Sequence, residues 1–290
     1  MRTDKRKIAL VGTGMVGMSY AYSLLNQGVC DELVLIDINR KRAEGEAMDL
    51  NHGLAFSTAH MKIYAGEYKD CSDADIVAIC AGVAQKPGET RLDLLKRNAS
   101  VFQSIVEPVT ESGFNGIFLV ATNPVDIMTR ITYSLSGFNP KRVLGSGTAL
   151  DTARLRYLLG ESLRVDPRNV HAYVMGEHGD SEFVPWSQAM IATKPILSLC
   201  EEDGLACTEE LNRIEDEVRG AAYRIIEQSR PPITALAWHS PESPGPSLEM
   251  KTAFLQYLPC CGENTDSRRY TQESPVSSIK TGFRESFPCH

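Results

Sequence analysis

Six residues near the start of the chain, Gly12-Thr13-Gly14-Met15-Val16-Gly17, constrain its fold more than any others, because of what flanks them. The apolar run Lys7 to Val11 leads into the glycines, and Met18 to Gln27 follows with Tyr20, Leu24 and Leu25 at helical spacing. The order is strand, tight turn, helix. A second apolar run, Glu32 to Ile36, ends at Asp37, twenty residues beyond the third glycine. A dinucleotide would use each part. Small residues let the backbone approach a pyrophosphate at a helix N-terminus, and a carboxylate at the next strand end accepts hydrogen bonds from ribose hydroxyls. The same glycines could serve a turn that only packs helix on strand. A bare glycine pattern is weak, and the strand, the helix and Asp37 together favour the dinucleotide. A carboxylate at position 37, rather than a basic side chain, favours NAD over its 2'-phosphorylated relative.

Further apolar runs at Ile76 to Cys80, Gly116 to Ala121 and Val143 to Leu144 alternate with helical segments, roughly Asp93 to Ser112 and Val125 to Leu135. This alternation predicts an α/β fold with a doubly wound parallel sheet. Ligands of such sheets sit beyond the carboxyl ends of the strands, where Ala81-Gly82 and Thr122-Asn123-Pro124 fall, so both loops should face the nicotinamide. At 290 residues, 42% hydrophobic and 23% charged, the chain has room for two domains. A net charge of -7 gives no electrostatic reason to bind nucleic acid or an anionic membrane surface. No apolar run approaches the roughly 18 residues of a membrane span, and a cytoplasmic protein is expected. The 8 cysteines show no paired metal-ligand spacing, so no metal is expected and the thiols read as reduced.

The chemistry lies in three later segments. Val83-Ala84-Gln85-Lys86-Pro87-Gly88-Glu89-Thr90-Arg91 reads as a polar lid, whose arginine could polarise a substrate carbonyl on closure or could be a solvated surface charge. Leu150-Asp151-Thr152-Ala153-Arg154-Leu155-Arg156 reads as helix, placing Asp151 and Arg154 on one face. They could form a structural ion pair. Alternatively Arg154 grips a substrate carboxylate with its planar fork, while Asp151 fixes the tautomer of a histidine and favours its protonated form. That histidine is His178, in Met175-Gly176-Glu177-His178-Gly179-Asp180; alone between glycines it would read as a turn residue.

Over roughly residues 5 to 227 these motifs together resemble the L-lactate dehydrogenases, and most closely the bacterial type activated by fructose 1,6-bisphosphate. The resemblance implies a Rossmann NAD-binding domain over residues 1–146 and a partial α+β catalytic domain over 147–228. It implies His178 as proton donor to pyruvate, Asp151 as its partner, Arg154 as carboxylate clamp, Arg91 as carbonyl-polarising residue and Asn123 as a contact to both carbonyl and cofactor. Cofactor contacts are implied at Gly12, Gly14, Val16, Gly17, Asp37, Arg42, Tyr68, Ala81, Gly82, Ser104, Ala121, Thr122, Asn123 and Ser146. Gln85 stands where the related malate dehydrogenases carry an arginine. A neutral side chain cannot neutralise the second carboxylate of oxaloacetate, so pyruvate should be preferred, with a malate-type activity or an inert NAD-binding fragment as the alternatives. Arg156 and His171 match positions through which the allosteric bacterial enzymes bind fructose 1,6-bisphosphate, although they could equally be a solvated helix residue and a strand-end packing residue. A homotetramer is the family's form.

The resemblance stops near Gln228. Ala206 to Glu227 reads as a long amphipathic helix, but Ser229-Arg230-Pro231-Pro232 cannot continue it, and residues 229–290 are rich in proline, serine and charge without periodicity. Reverse translation suggests why. Starting from the last base of the Arg230 codon, the shifted frame can read Ala-Thr-Tyr-Tyr-Gly-Ile-Gly-Met-Ala, with most second and third bases fixed by the residues Pro231 to His239. The family continues at this point with Ala-Thr-Tyr-Tyr-Gly-Ile, whose threonine lines the substrate pocket. A frameshift near Gln228 to Arg230 is therefore expected to have replaced the genuine C-terminal part. It should leave apolar surface between residues 150 and 227 uncovered and the chain poorly folded there and weakly active.

Overall fold

The apolar runs become strands of one sheet. Lys7–Val11 (β1), Glu32–Ile36 (β2), Lys62–Ala65 (β3), Ile76–Ile79 (β4), Ile117–Val120 (β5) and Val143–Gly145 (β6) lie in the order β3-β2-β1-β4-β5-β6, and every pairing is parallel. The computed structural model describes residues 5–83, 88, 90–202 and 208–228. Parallel strands covered by helices on both faces need unbroken apolar sequence rather than alternation, and β1 and β4 are buried at every position. Because β1 lies between β2 and β4, the direction of winding reverses beside it. That reversal opens a crevice at the carboxyl ends of β1 and β4.

The helices sit close to their expected places. Met15–Gln27 (α1), Arg91–Glu111 (α3) and Val125–Ser136 (α4) extend or trim the expected spans by a few residues. Arg40–Gly53 (α2) had no counterpart among the expected helices, because its buried side is only Ala43, Ala47 and Leu50. Inside the sheet and its covering helices, Val11, Ile36, Val77, Phe102, Val106, Phe118 and Met128 form one buried cluster.

The second half begins with Ala149–Leu163 (α5) and continues through Val170–His171 (β7), Met190–Ile191 (β8), Lys194–Pro195 (β9), Ile196–Glu202 (α6) and Thr208–Gln228 (α7). The three short strands form an antiparallel sheet in sequence order. Here the structure meets the expected exposure only in part, at Tyr157, Phe183 and Leu197 outside α7. Leu211, Ile214 and Val218 of α7 are buried with Leu155 and Leu159 of α5, Val170, Val174 and Ile196, so most of this half has its own core. The helical spacing itself explains this, since α7 lays its apolar stripe on α5. Only towards its end does α7 show apolar surface, with Tyr223 62% and Ile225 37% exposed. The expected frameshifted segment, 229–290, lies outside the described residues.

Candidate active site

The cradle at the end of β1 is held by contacts that admit no side chain. Gly12 has φ +99°, and a Cβ there would stand 2.6 Å from the backbone N of Ala81; at Gly17 a Cβ would stand 2.0 Å from the carbonyl O of Gly12. Both glycines are demanded by packing. Gly14 is different, because a Cβ there would meet nothing within 4 Å. No contact with the described residues asks for it, whereas a pyrophosphate approaching the backbone would. Gly14 is also the N-cap of α1 and offers no side-chain cap, and α1 has no acidic residue in its first turn. The amides there suit an anion.

Asp37 completes the cradle. Its Oδ2 accepts from Thr13 N at 2.8 Å and Thr13 Oγ1 at 2.9 Å, and its Oδ1 accepts from Asn39 N at 2.9 Å. Burial alone would raise its pKa, but the hydrogen bonds from Asn39 and Thr13, with Arg42 nearby, bring it below the ordinary carboxylate value. The carboxylate is thus charged and aimed. Tyr68, half-buried in the turn after β3, packs against the nucleotide-side core. Val16 is half-buried in the first turn of α1.

The loops expected to face the nicotinamide meet at the crevice. Thr122 Oγ1 donates to Ala81 O at 2.7 Å, Ala121 N to Ile79 O at 3.0 Å, and Ser146 N to Val120 O at 2.8 Å. Asn123 is exposed beside them, and Gly82 follows Ala81 at the start of the lid. Ser104 is the outlier: exposed on α3, it donates back to Val101 O at 2.7 Å. Gln85 lies outside the described residues. Arg91 requires a correction, because its backbone is the first residue of α3 and not part of the lid loop. Thr90 is the reason: its hydroxyl accepts from Asp93 N at 3.2 Å and starts the helix there.

The acid-base group is assembled from three segments. Asp151 and Arg154 share a face of α5, and Arg154 Nη1 donates to Asp151 Oδ1 at 2.8 Å. The other oxygen of Asp151 lies 2.6 Å from His178 Nδ1. The ion pair and the histidine partnership, weighed above as alternatives, therefore coexist on one carboxylate. Asp151 is buried in the first turn of α5, where the helix N-terminus favours its negative charge. The His178 loop is pinned from outside: His178 N donates to Asp126 Oδ2 at 2.9 Å, Thr148 Oγ1 to Val174 O at 2.6 Å, and Val174 N to Thr152 Oγ1 at 3.0 Å. Met175 and Phe183 close the loop with two backbone hydrogen bonds.

The charges are arranged to keep a proton on His178. The hydrogen bond that His178 donates to Asp151, helped by the nearby Glu182, outweighs burial and raises its pKa above the ordinary imidazole value. The ring is 24% exposed, so it stays reachable from the crevice. The Arg154 side chain is only 11% exposed, and its Nε and Nη2 have no hydrogen-bond partner among the described residues. These two nitrogens form one edge of the guanidinium, the edge that grips a carboxylate with two parallel bonds. A metal ion fits poorly among Asp151, His178 and Glu182, although their ligand atoms lie within 4.8 Å of one another. Asp151 already accepts from Arg154, whose positive charge borders the group.

Arg156 and His171 are near one another but differently used. Arg156 Nε donates to Ala172 O at 3.3 Å and its guanidinium lies 4.9 Å from the Tyr173 ring centre, while His171 is exposed in β7. Sequence reasoning passed over Asp126, Thr148, Asn98 and Glu182. Asn98 is buried on α3 and accepts from Val83 N at 2.9 Å, anchoring the start of the lid. A buried asparagine on the apolar face of α3 was the available signal.

Two family models match in sequence: the lactate/malate dehydrogenase NAD binding domain over residues 6–145, and the alpha/beta C-terminal domain of the same family over residues 148–237. The L-lactate dehydrogenase of Geobacillus thermodenitrificans is 59% identical over 222 residues, 77% of this chain and 70% of that protein. Among solved structures, a lactate dehydrogenase from a Medee basin deep-sea metagenome library superposes with a TM-score of 0.79 at 53% identity, over 82% of this chain and 75% of the other. The ligand-bound minor L-lactate dehydrogenase of Enterococcus mundtii gives a TM-score of 0.80 at 45% identity, over 87% and 77%.

Proposed function

The chain belongs to the lactate/malate dehydrogenase family, and we propose that its site is that of an L-lactate dehydrogenase, reducing pyruvate to (S)-lactate with NADH and running the reverse. One observation carries this reading: the unpartnered guanidinium edge of Arg154 and the imidazole of His178 are joined through a single carboxylate. A 2-keto acid has the matching pair of groups, an anionic carboxylate next to a ketone that needs a proton.

In the proposed mechanism Arg154 binds the keto acid's carboxylate through Nε and Nη2, which fixes the distance from the ketone to His178. A reduced nicotinamide held by the cradle would supply a hydride for the ketone carbon. His178 gives its Nε2 proton to the ketone oxygen, while Asp151 accepts from Nδ1–H and so holds the ring in the tautomer that leaves Nε2 free. In lactate oxidation the neutral ring takes that proton back. Arg91 polarises the carbonyl and Asn123 orients it. The cradle of Gly12, Gly14, Val16 and Gly17 would hold the pyrophosphate and Asp37 the ribose, with Arg42, Tyr68, Ala81, Gly82, Ser104, Ala121, Thr122 and Ser146 as the further cofactor contacts. The open space at Gly14 and the uncapped start of α1 fit NAD.

Gln85 selects pyruvate over oxaloacetate, because a neutral side chain does not neutralise a second carboxylate. We read residues 1–146 as the NAD-binding domain, 147–228 as a partial substrate domain and 229–290 as a shifted-frame segment, in a cytoplasmic homotetramer whose Arg156 and His171 bind fructose 1,6-bisphosphate. One set of assays tests the reading. The chain as written and a version carrying the shifted-frame reading after residue 228 are compared with NADH and either pyruvate or oxaloacetate, with and without the sugar bisphosphate. The restored version should prefer pyruvate and respond to the bisphosphate, and the chain as written should turn over weakly. A preference for oxaloacetate would remove Gln85 from its role. No response to the bisphosphate would remove Arg156 and His171 from theirs, and full turnover by the chain as written would show its tail dispensable.

A further inference from the structure

Glu182 has no part in the mechanism above, yet it is one of the most deeply buried charged side chains described, 3% exposed. Its Oε2 lies 3.8 Å from His178 Nδ1, the nitrogen that Asp151 approaches to 2.6 Å. At 3.8 Å the contact is too long for a hydrogen bond and acts through charge. Among the described residues the only donor to this carboxyl is Gly179 N, at a long 3.4 Å. Arg219 of α7 comes close but donates to the backbone carbonyl of Glu182, and its guanidinium pairs with Glu215 and Asp216 instead. A buried carboxyl needs compensation, and the cationic form of His178 is what lies beside this one.

We propose that Glu182 is a positioning residue for proton transfer: with Asp151 it holds His178 in its protonated form, so two buried carboxyl groups set the pH range over which the ring can donate. The inference rests on the dehydrogenase reading for its consequence in turnover, but its physical core does not. The other groups facing the ring act differently. Asp126 of α4 binds the backbone N of His178, and Arg154 of α5 lowers the pull of Asp151 by sharing it. Glu177 and Asp180, on the same loop, are exposed. Glu182 is the remaining charge on the buried side, and its proximity already contributes to the raised pKa of His178.

The test uses the full chain labelled at histidine, with His178→Asn assigning the resonance. The imidazole of His178 is titrated by NMR in the wild type, Glu182→Gln and Glu182→Asp. Glu182→Gln should lower the His178 pKa by about one unit, and Glu182→Asp should retain most of the wild-type value. Should Glu182→Gln fail to fold, Glu182→Ser supplies the same comparison. An unchanged titration in the charge-removing variant overturns the proposal. In the frame-restored enzyme, the alkaline limb of pyruvate reduction and the acid limb of lactate oxidation should move down together by that amount. A uniform loss of kcat with both limbs in place would mark Glu182 as merely structural and also overturn it. If the NMR titration moves while pyruvate reduction is absent from the frame-restored wild type, the dehydrogenase reading fails and the electrostatic inference stands.

Discussion

The cofactor cradle and the acid-base group lie at one crevice but are built on opposite principles. The cradle comes from neighbours in sequence: Gly12, Gly14 and Gly17 within one turn, and Asp37 at the end of the adjacent strand, tied back to Thr13. Its precision is steric, since two of the glycines meet backbone atoms directly. The acid-base group joins α4, α5 and the His178 loop across 52 residues of sequence, through polar side chains that meet specific partners. Its precision is electrostatic. Damage to the first should therefore register in folding and cofactor affinity, and damage to the second in the chemical step.

The largest separation is expected at His178. In the frame-restored enzyme, His178→Asn should lower kcat for pyruvate by about 10² to 10⁴-fold, the usual worth of a positioned acid, while NADH binding measured by fluorescence stays within a factor of about two. If NADH affinity fell in step with turnover, the two regions would be coupled and the contrast between them would fail.

The glycines supply the next test, from within the cradle. Gly17→Ala places a Cβ against a backbone oxygen that cannot yield without moving α1, so the chain should lose about 3 kcal/mol of stability, a fall in Tm of about 10 °C. Gly14→Ala meets none of the described residues and should leave Tm within about 2 °C while weakening NADH binding about tenfold. Equal effects from the two substitutions would mean that both glycines serve packing, and the dinucleotide argument for Gly14 would fall.

The same contrast explains what could be read before the structure. The strands β1, β2, β4 and β5 were legible because full burial leaves a continuous apolar run, and Asp37 because its distance from the glycines is a local matter of one βαβ unit. β3 and the pairs β7 to β9 were not, being two to four residues long and mixed in character. Arg154, Asp151 and His178 were singled out by residue type and by the helical face that Asp151 and Arg154 share, which left an ion pair open as an alternative; resemblance to a family then assigned their roles. The polar residues that hold them, Asp126, Thr148 and Thr152, carry no local mark, since each acts by meeting a partner 22 to 52 residues away. The start of α3 was misjudged because Thr90 was taken as lid rather than cap, which moved Arg91 from a loop to a helix.

The smallest effects should appear in pH dependence, and with opposite signs in the two regions. His178 has its pKa raised, so its folded-state contribution is complete below the ordinary imidazole value of about 6.5 and is lost as pH rises through the folded value. Pyruvate reduction should therefore persist above neutral pH and fail on the alkaline side. Asp151→Asn removes the main cause of the shift and should bring that limb down towards the ordinary value. Asp37 has its pKa lowered, so its contribution is present above the ordinary carboxylate value and lost as pH falls through the depressed one. NADH binding should accordingly survive mild acid, and Thr13→Val, which deletes one of the donors to Asp37, should move its acid limit upward by a few tenths of a unit without touching the alkaline limb of turnover. If both limbs moved in the Thr13 variant, the cradle and the acid-base group would share one titration.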